Sequence, residues 1–210
     1  MILSCCSVGS APAFFGKGDD KPTAFAVMDE AWRLGICRFD TADAYGGGLS
    51  ETWIGEWMQA RARKPFVITK TYNPMGANED GGLSPVRINR QIRASLQRLG
   101  GVASVDRYLC HEYDNSVSLQ DTIAALEELK RGGLLADWGV SNFTLAQLRQ
   151  AVAICKPREI QNNFSLLERT AETEGLLQYC RQEGIEFNAF SPLCGGWVLL
   201  ILARNQPFVH

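Results

Sequence analysis

Short apolar runs alternate with longer amphipathic stretches at a spacing of about 25–35 residues, a rhythm that predicts repeated βα units around a parallel sheet. The first strand is predicted at Ile2–Val8, and the first helix begins near Pro22, a residue suited to a first turn. Ala24, Val27, Met28, Ala31 and Leu34 fall on one helical face, and Gly35 supplies the stop. Strand two is read at Ile36–Phe39, running into Asp40. A helix near Ser50–Ala62 is expected to bury Trp53, Ile54, Trp57 and Met58, and strand three, Phe66–Thr69, runs into Lys70.

The next helix carries the strongest signals. Ser84 caps it, Pro85 fits its first position, and Ile88, Ile92, Leu96 and Leu99 form its apolar stripe. Strand four, Arg107–Cys110, ends at His111. Ser118 with Asp121, and Thr144 with Gln147, read as capping boxes ahead of two further helices. Strand five is expected near Ala136–Val140, ending at Ser141 and Asn142. Strand six, Glu159–Ile160, ends at Gln161, and a helix over Ala171–Glu183 leads to strand seven, Ile185–Ala189, ending at Phe190. The unusual polar residues all lie at the C-terminal ends of predicted strands, the rim on which a TIM-type barrel carries its active site. The alternative, an open doubly wound sheet, is disfavoured because no glycine-rich dinucleotide fingerprint follows the first strand.

Composition narrows the class. With 210 residues, 46% hydrophobic and 21% charged, the chain suits one globular domain, read as 1–210. A net charge of −2 gives no electrostatic reason to expect a nucleic-acid or anionic-membrane partner. No run reaches the roughly 18 apolar residues of a membrane span, and the apolar N-terminus, lacking a basic leader, reads as a strand rather than a signal peptide. The 7 cysteines form no CxxC pair and are read as reduced thiols of a cytoplasmic protein. Only His111 and His210 are histidines, with no ligand partner at useful spacing, so no metal site is expected.

The segment Gly35–Gly46 (GICRFDTADAYG), followed by Leu49-Ser-Glu51 and Ile54-Gly55, resembles the signature of the aldo/keto reductase family. Val67-Ile-Thr-Lys70, Asp106–His111, Trp138–Asn142, Gln161–Leu167 and Ala189–Leu193 match further family segments in order, so the resemblance runs from about Ile2 to about Gly196. It implies a (β/α)₈ barrel, and a catalytic tetrad of Asp40, Tyr45, Lys70 and His111. It also implies an NADP(H) cofactor, with NAD(H) as the alternative, and a small-molecule carbonyl substrate. Ser141, Asn142 and Gln161 would hold the nicotinamide carboxamide, Phe190 would stack on its ring in place of the tyrosine of many relatives, and Ser191 and Leu193 would line the pyrophosphate path. Phe14, Phe15, Tyr72 and Tyr113 are candidates for shaping a substrate pocket.

The residues support that chemistry on their own terms. Reducing a carbonyl takes a hydride on carbon and a proton on oxygen. The hydride belongs to a nicotinamide, and the protein orients the reactants and supplies the proton. A tyrosine titrates near 10 when free, and a neighbouring ammonium favours its phenolate. Asp40 would balance the charge of Lys70, His111 would orient the carbonyl oxygen, and Tyr45 would act as general acid in reduction and general base in oxidation.

Residues 197–210 read as a divergent tail, and the last βα unit of a complete barrel is not recognisable, so an incomplete barrel of about seven strands is expected. Weak NADPH binding follows, because the unrecognised region carries most of the family's grip on the adenosine 2′-phosphate. The alternative functional reading is a catalytically impaired regulatory subunit that keeps the reductase fold, or a truncated gene fragment. Oligomeric state and substrate identity are not legible in the sequence.

Overall fold

The computed structural model describes residues 1, 3–4, 20–76 and 81–194; Phe14, Phe15 and the 197–210 tail lie outside these. The strands are β1 (Leu3–Ser4), β2 (Arg38–Asp40), β3 (Phe66–Thr71), β4 (Val105–Cys110), β5 (Leu135–Ser141), β6 (Glu159–Asn163) and β7 (Glu186–Phe190). The helices are α1 (Lys21–Arg33), α2 (Leu49–Arg61), α3 (Pro85–Arg98), α4 (Leu119–Arg131), α5 (Leu145–Ile154), α6 (Thr170–Thr173) and α7 (Leu176–Glu183). The chain forms two compact units, Met1–Gly139 and Val140–His210.

In the first unit the strand order follows the sequence from β1 to β5, and the β1–β2, β2–β3 and β3–β4 pairs are parallel. Helices alternate with these strands, supplying the crossover connections that parallel pairing requires. Side chains on β3 divide by the period of two. Thr69 and Thr71 turn towards polar groups on α2 and α3, through Glu51 and Arg87, while Ile68 and Lys70 share the opposite face. Phe39, Ile54, Trp57, Ile88, Ile92, Leu99 and Leu126 are completely shielded from solvent and make the core against the helices.

Side-chain caps open three of the seven helices among the described residues. Asp20 accepts a hydrogen bond from the Thr23 N–H at 2.8 Å, and Ser84 accepts from the Arg87 N–H at 3.3 Å. Each satisfies a backbone donor left without an intrahelical partner. The expected α3 stripe is buried throughout. Ser118, by contrast, makes no side-chain cap, and Val27 and Leu34 are exposed rather than inward.

Gly55 explains a glycine inside a helix, normally a cost of about 1 kcal/mol relative to alanine. A Cβ placed there would lie 2.5 Å from the Leu99 carbonyl carbon and 2.6 Å from the Gly100 nitrogen. Thus α2 and the end of α3 meet backbone to backbone.

The second unit contains the end of β5, then β6 and β7, a parallel pair with Glu159 opposite Glu186 and Asn163 opposite Phe190. The helix expected over Ala171–Glu183 is two helices, because Gly175 adopts a left-handed φ of 81° between them. Thr144 and Gln147 form the expected reciprocal capping box. Strands β3 and β6 run past the polar residues read as their ends, so Lys70 and Gln161 lie within strands. Backbone pairing does not depend on side-chain polarity when the side chain finds partners of its own.

Because the neighbour of Gly55 is backbone, which cannot step aside as a flexible side chain can, Gly55→Ala is expected to lower unfolding stability by about 1–3 kcal/mol. A urea denaturation midpoint equal to that of the parent would show that α2 and α3 can part without cost.

Candidate active site

The first unit brings Asp40, Tyr45, Lys70 and His111 together. Register does this. Asp40 pairs with Ile68 and Lys70 pairs with Leu109. Lys70 is two residues beyond Ile68, and His111 two beyond Leu109, so the alternation of strand side chains sends Asp40, Lys70 and His111 to one face. Tyr45 arrives from the turn after β2, where Gly46, Gly47 and Gly48 all take positive φ. Three successive residues in that region are accessible only to glycine at low cost, which accounts for the glycine run behind the tyrosine. At Gly48 a Cβ would also meet the Arg98 side chain at 2.6 Å.

Lys70 is 3% exposed, and its Nζ donates to Asp40 Oδ1 at 2.5 Å and to the Thr41 carbonyl oxygen at 2.9 Å. The same ammonium lies 5.2 Å from the centre of the Tyr45 ring. Burial by itself would lower the pKa of Lys70. The Asp40 carboxylate, and after it Tyr45, outweigh that cost and hold the pKa above its ordinary value. The ammonium is therefore charged throughout the neutral range.

His111 meets Tyr45 edge to face, with ring centres 5.7 Å apart. Burial first, and the Lys70 charge second, lower its pKa to about 3. The imidazole is neutral near pH 7, able to donate one hydrogen bond and accept another.

Behind these residues lies a buried polar network of which the sequence reading names no member as a site residue. Thr71 Oγ1 donates to Asp43 Oδ2 at 2.7 Å, and Arg87 Nη1 donates to Thr71 Oγ1 at 2.7 Å. Glu51 accepts from Thr69 Oγ1 at 2.5 Å and from Arg98 Nε at 2.7 Å. Burial raises the Asp43 carboxyl to about 6, against the Thr71 hydrogen bond and the Arg87 charge. A signal was available: Arg87, Gln91 and Ser95 recur every four residues beside the Ile88, Ile92, Leu96 stripe, and all three are buried. Asp43 also sits between Asp40 and Tyr45 in the turn itself.

In the second unit, Ser141 and Gln161 are buried and Asn142 is half-buried at a left-handed φ of 58°. The Asn142 N–H donates to the Gln161 carbonyl oxygen at 3.0 Å, and its Nδ2 lies 3.3 Å from Ser141 Oγ. Gln161 Nε2 donates to Glu159 Oε1 at 3.1 Å. This set of hydroxyl and amide groups has the donors and acceptors that a primary carboxamide demands. Phe190 is half-buried at the end of β7, and Ser191 and Leu193 are exposed just beyond it. Tyr72 and Tyr113 are half-buried in the first unit. Among the described residues the five cysteines are free thiols, no acidic, cysteine or histidine cluster could hold a metal, and no helix is long and apolar enough to cross a membrane.

The His111 shift has a consequence for stability. The unfolded chain takes up a proton on His111 below about 6.5, whereas the folded chain resists until about 3. Stability contributed by the neutral folded imidazole is thus lost as pH falls through that window. His111→Gln is expected to lose less stability than the parent between pH 7 and pH 5, read from urea midpoints. Equal losses would mean that the folded imidazole titrates like a solvated one.

The profile of the aldo/keto reductase family matches residues 9–205. An uncharacterized oxidoreductase of Bacillus subtilis, YrpG, is 38% identical over 87% of this chain and 61% of its own length. The NADH-specific methylglyoxal reductase of Escherichia coli is 31% identical over 98% of this chain and 67% of its own length. The chain therefore spans about three-fifths to two-thirds of such relatives. In three dimensions it resembles the aldo-keto reductase AKR11C1 of Bacillus halodurans, with a TM-score of 0.84 at 24% identity, over 100% of this chain and 74% of that one. The fold is that of the family's TIM-type barrel, with seven of its strands among the described residues. The chain belongs to the aldo/keto reductase family.

Proposed function

We propose that the protein is a nicotinamide-dependent oxidoreductase that reduces small aldehydes and ketones, sugar-like carbonyls included, to alcohols. The observation that carries this reading is the buried, Asp40-paired ammonium of Lys70 set against the Tyr45 ring, with a neutral His111 at that ring's edge.

A bound nicotinamide supplies the hydride. Tyr45 gives its phenolic proton to the carbonyl oxygen, and the phenolate left behind is held by the Lys70 ammonium until a proton returns from solvent. Asp40 keeps that ammonium fixed and compensated, since an unpaired buried charge costs several kcal/mol. His111, being neutral, donates a hydrogen bond to the carbonyl oxygen without competing as an acid. In oxidation the same tyrosine takes the proton from the alcohol.

Ser141, Asn142 and Gln161 would hold the carboxamide of the cofactor, Phe190 would stack on its ring, and Ser191 and Leu193 would line the path of its pyrophosphate. Stacking uses the aromatic face and not a hydroxyl, so phenylalanine suffices at position 190. NADPH and NADH both enter the assay, since one relative is named as NADH-specific.

The test follows the loss of reduced-nicotinamide absorbance with methylglyoxal and a panel of aldehydes. Tyr45→Phe, which keeps the ring and removes the proton, is expected to lower kcat by about 10²–10⁴-fold with little change in KM. Equal rates for the parent and Tyr45→Phe would remove Tyr45 from the mechanism and overturn this reading.

A further inference from the structure

Asn73 stands two residues beyond β3, and its side-chain Nδ2 lies 3.4 Å from Nδ1 of His111. Its main chain is clamped from the other side. The Asn73 carbonyl oxygen accepts from Arg87 Nη2 at 2.6 Å, while Arg87 Nη1 donates to Thr71 Oγ1 at 2.7 Å and to the Gly82 carbonyl oxygen at 3.0 Å. Arg87 is 4% exposed. The His111 main-chain N–H in turn donates to the Thr71 carbonyl oxygen at 3.0 Å, so both residues hang from the same end of β3.

A neutral imidazole carries its single proton on one ring nitrogen or the other, and the hydrogen bond at one nitrogen decides which. An amide NH₂ group can only donate. Facing Nδ1, it makes that nitrogen the acceptor and leaves the proton on Nε2, where it can be donated to a carbonyl oxygen. The opposite amide orientation would put Oδ1 there and demand a proton on Nδ1, leaving Nε2 unable to donate.

We propose that Asn73 is a positioning residue that holds His111 in the Nε2–H tautomer, with Arg87 fixing the Asn73 main chain in place. The low pKa of His111 agrees: with the ring neutral across the neutral range, its tautomer and not its charge is the variable to be set. The tautomer stands on this geometry alone, and its effect on turnover rests on the reductase reading.

The chain has 2 histidines, His111 and His210. The full chain labelled with ¹⁵N-histidine in a His210→Gln background therefore gives a single imidazole, whose long-range ¹H–¹⁵N correlations at neutral pH distinguish the tautomers. The parent is expected to show Nε2 protonated and Nδ1 bare. Asn73→Ala, which keeps the carbonyl that Arg87 binds, should show both tautomers in exchange, and Asn73→Asp should show a proton on Nδ1. Both variants should lower kcat by about 10–100-fold, with KM for the reduced nicotinamide unchanged. A proton on Nδ1 in the parent, or one tautomer shared by all three proteins, would overturn the proposal. A shifted tautomer with undiminished kcat would overturn the positioning role. If the parent reduces no carbonyl, the reductase reading fails while the spectra still decide the tautomer.

Discussion

A charged ammonium out of reach of water is tolerated only where a counter-charge and further acceptors meet it, and the arrangement around Lys70 answers to that demand. Asp40 and the Thr41 carbonyl oxygen take up its protons at 2.5 and 2.9 Å. The β2–β3 register puts both acceptors within reach of the ammonium, and the turn after β2 sets the Tyr45 ring 5.2 Å from it. Burial, and after it the Lys70 charge, keeps the neighbouring imidazole neutral.

The helix-facing side of β3 is built by the same physics with different groups. Thr69 and Thr71 replace the branched apolar residues usual in a buried parallel strand, and each is satisfied by a buried charged side chain, Glu51 for one and Asp43 with Arg87 for the other. Removing one partner of such a network leaves its mate unsatisfied, which costs more than the hydrogen bond gained in forming it. The network ties the turns carrying Tyr45 and Asn73 to α3. The groups proposed to face a carbonyl are thereby tied to regular elements rather than left on free loops.

Much of this was readable from the residue order. The alternation of strands and helices, the α3 stripe, the Thr144–Gln147 box and the four residues of the proposed tetrad all carry local signals, since periodicity, caps and short motifs involve neighbours in sequence. Where local signals misled, a competing local term prevailed. Gly175 interrupts a periodic run that read as one helix, and Val27 and Leu34 lie on a predicted face that the packing leaves to solvent.

The sequence by itself determined which side chains could do carbonyl chemistry and that they stand near strand ends. Only the tertiary structure decided that Asp40, Lys70 and His111 share one face, because a one-residue slip of register would send a side chain to the opposite face. The same holds for Gly55, Arg87 and Asn73. A bare backbone contact with α3, a buried guanidinium joining two turns, and an amide set beside an imidazole are all relations between residues 14 or more positions apart. No window along the chain contains them, and the free energy that makes them matter, burial without water to fall back on, exists only once the chain has closed around them.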